Sequence, residues 1–268
     1  MKITIIVFII LILGCGLYLF LAKKERQINN ILEKPMVNDN KLEIKKETPP
    51  KISIITVYDN YSADSRLKTA HGFSTFITLR EKNILFDTGA DSETLLNNID
   101  KMAIDPKKID FVFISHLHGD HTGGLPGILK INPDLTVYKP DSFSKSTEIT
   151  NKVWTTGPLG TSIIEQSLII NSEQGLIIIT GCAHPGIVNI IKKAKEMFPD
   201  QIVNLVIGGF HLSGASDSEL QSIINDFKNL GVKKVAPCHC SGDKCRELFR
   251  AEYKENFIEN GVGKIIEI

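Results

Sequence analysis

The chain lacks a charge bias: 31 Lys and Arg stand against 31 Asp and Glu over 268 residues, a formal net charge of +0. Proteins that grip nucleic acid through its phosphates usually carry a basic excess or stripe, so a nucleic-acid partner is not expected. Cysteine is scarce, with five residues, and Cys15 sits inside an apolar run. No paired C-x-x-C knuckles occur, which excludes a zinc ribbon. Of the other four, Cys182, Cys238, Cys240 and Cys245, the middle two are too close in Cys238-His239-Cys240 for an easy bridge. Reduced thiols are the simpler reading and lean toward a reducing compartment. Asp87-Thr88-Gly89 occurs only once. An aspartic protease needs two carboxylates sharing a proton, so a monomeric one is excluded, and Asp87 is expected to tie a turn. No internal repeat is visible. The lone Trp154 suits a core as well as a substrate platform.

What the chain does have is histidine in an unusual arrangement. Ser115-His116-Leu117-His118-Gly119-Asp120-His121 follows the apolar residues 109–114. Three imidazoles and a carboxylate within six residues make a poor core and a good metal site. Imidazole nitrogen and carboxylate oxygen suit zinc, iron or manganese. A polar surface loop with a chance cluster is the plainer alternative. Three further histidines weigh against it, each following an apolar, strand-like run. Residues 175–180 lead into Gly181-Cys182-Ala183-His184, residues 201–207 into Gly208-Gly209-Phe210-His211, and residues 232–236 into Pro237-Cys238-His239-Cys240. Of the seven histidines only His71 precedes a strand. In open α/β sheets ligands gather outside the carboxyl ends of the strands, so six histidines distant in sequence can meet there.

Residues 3–22 carry no charge and consist mainly of Ile, Leu, Val and Phe. At helical rise about 20 residues span a bilayer core of roughly 30 Å. Residues 1–22 are therefore expected to be a single-pass membrane anchor, with Lys23-Lys24-Glu25-Arg26 as a polar stop. A cleaved signal peptide and a lipoprotein signal around Ile12-Leu13-Gly14-Cys15 are the alternatives. The basic residues flanking the run leave the side of the membrane open. Residues 23–51, rich in Lys, Glu and Asn and ending in Pro49-Pro50, read as a linker. Residues 52–268 form the expected catalytic domain. Period-two patterning predicts strands over residues 52–58, 73–79, 84–86, 111–114, 135–138, 168–170, 176–179, 203–207, 232–235 and 264–268, with a hairpin at 171–175. Apolar spacing of three and four predicts helices over 92–99, 124–129, 187–197, 216–230 and 243–253. Residues 139–161 show little regular patterning and are expected to form part of a cleft rim. Antiparallel strands early and α/β alternation late call for helices covering a two-sheet core.

His116-Leu117-His118-Gly119-Asp120-His121 fits H-x-H-x-D-H, the signature of the metallo-β-lactamase superfamily, which the chain resembles from residue 52 onward. Gly72-Phe73-Ser74, Phe86-Asp87-Thr88-Gly89, Gly181-Cys182-Ala183-His184-Pro185-Gly186-Ile187, Gly209-Phe210-His211-Leu212 and His239-Cys240-Ser241-Gly242 resemble one branch of it. Members of that branch are often named for a dihydropterin–ribofuranosylaminobenzene phosphate synthase. The resemblance implies an α/β (α+β) protein, an αββα sandwich with two divalent metal ions in a cleft at one sheet edge, zinc first and manganese or iron as alternatives. It implies His116, His118 and His184 around one ion, and Asp120, His121 and His239 around the other. Many relatives place an Asp where Cys182 stands here, bridging both ions. Either Cys182 does not bind metal and His184 closes the site, or a thiolate takes part. Asp120 is also the candidate to orient a nucleophile. His211 is the candidate acid on the substrate side, with Ser213 and His71 as further groups for developing charge. The main expectation is a metallo-hydrolase acting on a small ester, lactone or phosphate ester through an activated water. The alternatives are a pterin–aminobenzene condensing synthase and a metal-bearing sensor with little turnover. A redox di-iron enzyme is disfavoured because no fused flavin domain is present.

Overall fold

Strands with apolar side chains on both faces need cover on both sides of the sheet. The computed structural model, which describes residues 23–24, 52–80 and 82–268, supplies that cover. The strands run β1 (Ile52–Tyr58), β2 (Ser74–Leu79), β3 (Lys82–Phe86), β4 (Phe111–Phe113), β5 (Thr136–Tyr138), β6 (Thr147–Thr150), β7 (Val153–Thr155), β8 (Leu168–Ser172), β9 (Gly175–Thr180), β10 (Val203–Gly209), β11 (Lys234–Cys238) and β12 (Ile265–Glu267). The helices are α1 (Ser92–Lys101), α2 (Gly119–Thr122), α3 (Leu125–Ile131), α4 (Ile187–Met197), α5 (Asp217–Asn229) and α6 (Asp243–Tyr253). One sheet has the order β12-β1-β2-β3-β4-β5 and the other β11-β10-β9-β8-β7-β6. Both are mixed. Pairing is antiparallel from β12 to β3 and from β6 to β9. It is parallel from β3 to β5 and from β9 to β11.

Alternation sorts the side chains into three apolar layers. Ile177 and Ile179 of β9 face inward with Leu205 and Ile207, and meet Ile54, Ile77, Phe86 and Phe113 of the other sheet. Leu176 and Ile178 face outward and pack with Ile187, Ile190 and Ile191 of α4, Leu220 and Ile224 of α5 and Phe249 of α6. On the other outer face Leu85 and Val112 meet Leu95 and Ile99 of α1 and Ile128 of α3. Each such side chain contributes about 1.5–3 kcal/mol on burial. This is the αββα sandwich of the sequence expectation.

Three local differences have physical reasons. Residues 139–161 contain the β6–β7 hairpin on the edge of the second sheet, with Trp154 opposite Glu148 and Ile169. These strands are too short and too rich in threonine to show a period, and an existing sheet edge templates them. Trp154 packs edge-on against Phe198 at 5.4 Å, a packing role rather than a substrate platform. The helix expected over 124–129 is present as α3, and a further short helix, α2, precedes it because the histidine run itself turns helical from Gly119. β11 starts later than expected and runs on through Pro237 to Cys238. An edge strand tolerates a residue without an N–H. The expected membrane run, residues 3–22, lies outside the described residues. Among the described residues no helix is long and apolar enough to cross a membrane.

Candidate metal centre

The parallel strands deliver the chemistry. Asp87 follows β3, the histidine run follows β4, and His184, His211 and His239 follow β9, β10 and β11. At these turns Asp87, Ala183, His211 and His239 have φ of 52°, 59°, 55° and 49°. Non-glycine residues in this left-handed region are uncommon and persist where surrounding contacts over-determine them.

Asp87 supplies several of those contacts. Its Oδ1 accepts from Ser115 N at 2.6 Å, and its Oδ2 from Ser115 Oγ at 2.7 Å and from His121 Nδ1 at 2.6 Å. Ser115 Oγ, its proton given to Asp87, accepts from His116 Nδ1 at 2.9 Å. Asn60 Oδ1 accepts from His239 Nδ1 at 3.0 Å. Each of these three rings is therefore held in the tautomer that turns a bare Nε2 toward the cleft. A Cβ on Gly181 would lie 2.0 Å from Ser115 Oγ, so only glycine fits beside this network.

The inward atoms crowd together. His121 Nε2 lies 3.2 Å from His239 Nε2 and 3.2 Å from Cys182 Sγ. Asp120 Oδ2 lies 3.3 Å from His239 Nε2, 3.7 Å from His121 Nε2 and 3.1 Å from His71 Nε2. Two imidazole lone pairs facing each other repel, and a cation between them reverses the sign. Ligands about 2.0–2.3 Å from a tetrahedral ion are themselves about 3.3–3.8 Å apart, close to the spacings found here. Beside this group, His116 Nε2 lies 3.1 Å from His118 Nδ1. The rings of His116, His118 and His184 are 4.7–4.9 Å apart between centroids. His184 Nε2 is buried without a hydrogen-bond partner. A buried bare nitrogen and converging soft and hard donors fit a metal ion.

The protonation of His116 and His184 agrees with that fit. Burial, with His121, His184 and His118 close by, pushes His116 down to about 2. Burial, then His211, pushes His184 down to about 4. Both rings are neutral at ordinary pH, as ligands must be. The hydrogen bond with His239 holds Asp120 well below the usual carboxylate range, against burial. Burial depresses His121, but the Asp87 carboxylate outweighs it and the net direction is upward.

All six ligands expected from the sequence thus lie in one cluster. His211 is exposed, with its ring 4.5 Å from that of His184, and its Nδ1 or Nε2 lies within 4.8 Å of the Cys182 and Cys240 sulfurs. His71 stacks obliquely on His239 at 5.0 Å. Asn60 and Glu165 both escaped sequence reasoning. Glu165 Oε1 accepts from Thr180 Oγ1 and from the N–H groups of Gly181, Cys182 and Ala183 at 3.0–3.1 Å, and Oε2 from His184 N at 2.8 Å. Burial raises its pKa against the pull of these donors. It shapes the whole loop that carries Cys182 and His184. A lone glutamate has no local pattern to give it away. The cluster opens into a cleft of about 930 Å³ whose walls include Tyr61, Ser213 and Lys244. An apolar hollow of about 530 Å³, lined by Leu117, Phe143, Pro158 and Ile164, shares His118 with it.

A family model for the metallo-β-lactamase superfamily matches residues 68–192. The chain is also 31% identical to the 7,8-dihydropterin-6-methyl-4-(β-D-ribofuranosyl)-aminobenzene-5′-phosphate synthase of Methanocaldococcus jannaschii, over 81% of this chain and 96% of that protein. The chain belongs to the metallo-β-lactamase superfamily. A solved metal-dependent hydrolase of the β-lactamase superfamily superposes with a TM-score of 0.69 at 28% identity, covering 81% of this chain and 99% of that one. The metallo-β-lactamase fold protein YhfI of Bacillus subtilis, at 13% identity, gives 0.60 over the same shares and shows the fold alone. The protein is a superfamily enzyme, whose relatives are metal-dependent hydrolases or synthases.

Proposed function

We propose that this superfamily member is a condensing enzyme that joins a dihydropterin, through its 6-methyl carbon, to the nitrogen of an aminobenzene carrying a ribofuranosyl phosphate. The observation that carries this reading is the likeness to the M. jannaschii synthase along nearly the whole of that protein. Two features of the cleft support it. The apolar hollow beside His118 suits a flat ring, and Lys244 in the wall of the adjoining cleft suits a phosphate. In the proposed reaction the arylamine nitrogen attacks the methyl carbon, the oxygen leaving group departs with the bonding pair, and the nitrogen sheds a proton.

His116, His118 and His184 would hold one divalent ion and Asp120, His121 and His239 the other, with zinc, manganese or iron as candidates. Ions held there supply Lewis acidity that stabilises negative charge on a departing oxygen. His211, raised in pKa first by its hydrogen bond with Cys240, is the candidate to give a proton to the leaving group. His71 donates from Nε2 to Asp120 Oδ2 at 3.1 Å, which leaves its Nδ1 as the candidate to receive the arylamine proton.

Hydrolysis of a small ester, lactone or phosphate ester is the second reading, favoured by the likeness to the solved metal-dependent hydrolase. The deciding experiment incubates the metal-loaded protein with a dihydropterin bearing a leaving group on its methyl carbon, with and without the aminobenzene partner. Coupled product that requires both substrates supports condensation. Release of the leaving group at the same rate without the amine supports hydrolysis and defeats the first reading. Tethering to a membrane through residues 3–22 is part of the same proposal, and recovery of the full chain in the soluble fraction without detergent would defeat it.

A further inference from the structure

We infer that the Cys182 thiolate bridges the two metal ions, a single sulfur standing where many relatives have a carboxylate. The inference rests on the two-ion reading above. Three observations carry it.

First, Cys182 is shared. Its sulfur lies within 4.8 Å of the ligand atoms of Asp120, His121 and His239, and equally within 4.8 Å of those of His116 and His184. Among the described residues no other side chain belongs to both groups. Second, the sulfur faces polar atoms. It sits 3.2 Å from the bare Nε2 of His121, whereas the buried Cys245 packs in the α4–α6 apolar layer and Cys238 between the sheets. A cysteine retained for packing belongs with those two. Third, its backbone is fixed. Cys182 N donates to Glu165 Oε1 at 3.0 Å, flanked by the N–H groups of Gly181 and Ala183 on the same oxygen. The loop cannot swing the sulfur away without breaking a buried array.

A thiolate has lone pairs enough for two ions and is a soft donor. The centre should therefore prefer zinc, cobalt or cadmium over magnesium or calcium. Cys240 is the internal control. Its sulfur groups with Cys182 and His211 alone, outside both imidazole sets.

The test uses the purified full chain loaded stepwise with Co²⁺, which reports thiolate ligation by a near-ultraviolet charge-transfer band and shared ligation by magnetic coupling. Wild type should show the band, and its electron paramagnetic resonance signal should fall as the second equivalent binds. Cys240→Ser should behave alike. Cys182→Ser and Cys182→Asp should lose the band to background, and Cys182→Asp, which restores a carboxylate, should still bind two ions with a native circular dichroism spectrum. Two bound ions with visible d–d absorption but no thiolate band would overturn the inference and leave the two-ion reading standing. A band with additive, uncoupled signals would place the sulfur on one ion and overturn bridging. Failure to bind cobalt would overturn both.

Discussion

The two halves of the candidate centre are built differently. In the half formed by Asp120, His121 and His239, every ligand has an outer partner: Asp87 for His121, Asn60 for His239 and His71 for Asp120. In the half formed by His116, His118 and His184, only His116 is tied through its ring, to Ser115. His184 is held by its backbone on Glu165 while its Nε2 goes without a partner. Ligands fixed from behind lose little freedom when a cation arrives. The first half is thus preorganised, and the second can adjust. The stepwise expectation is that the Asp120 half fills first and that the His184 half, nearer the exposed His211, responds to substrate.

The largest effect should come from Asp87→Ala, because Asp87 serves both halves. It would strand buried His121 and the Ser115 N–H, and loss of one partner of a buried pair costs about 3–5 kcal/mol. Chemical denaturation of the metal-free protein measures this, and isothermal titration should show both ions weakened. If only one were affected, the shared anchor would be disproved. Next, Glu165→Gln puts an amide N–H₂ against a row of backbone donors, and buried groups left unpaired cost about 1–3 kcal/mol. The loss should fall most on the half containing His184, read as a larger weakening of the second equivalent than of the first, because Glu165 also holds the loop that carries Cys182. Smaller still, Asn60→Ala should weaken the half containing His239 by roughly tenfold, within the range for outer partners of metal ligands, and leave the other half unchanged. Competition with a chelator separates the two.

Acidity divides the halves as well. In the metal-free protein His116 and His184 are depressed from the ordinary 6.5 to about 2 and about 4. The unfolded chain then binds more protons than the folded one below about 6.5, so their contribution to stability falls as pH drops through that window. His121 is raised above 6.5. Its contribution is complete below 6.5 and is lost as pH rises through the raised value. Thermal melts of the metal-free protein should therefore fall as pH drops below 6.5, and Asp87→Asn should remove a part of the stability that wild type loses above it. An unchanged pH dependence above 6.5 in that variant would show that the His121–Asp87 pair contributes nothing.

The same division explains what could be read from the sequence. His116, His118, Asp120 and His121 were legible because one loop carries them at fixed spacing, and His184, His211 and His239 because each ends an apolar run. The sandwich followed from strands apolar on both faces, such as β9, with every residue buried. Glu165, Asn60 and Ser115 were not legible as supports. Their roles arise only when distant loops meet, and a glutamate 15 residues before Thr180 has the same local pattern as one in solvent. The β6–β7 hairpin was hidden for a related reason, since its pairing is imposed by the neighbouring β8 edge. Local pattern revealed the donors, and tertiary structure alone revealed what aims them.

The most direct measurement is the metal content of the zinc-loaded full chain after removal of free ion, in wild type and in the His121→Ala and His184→Ala variants. Two zinc ions in wild type and one in each variant are predicted. A wild-type chain that emerges empty, or variants that keep both ions, would contradict the convergence of these side chains on a two-ion centre.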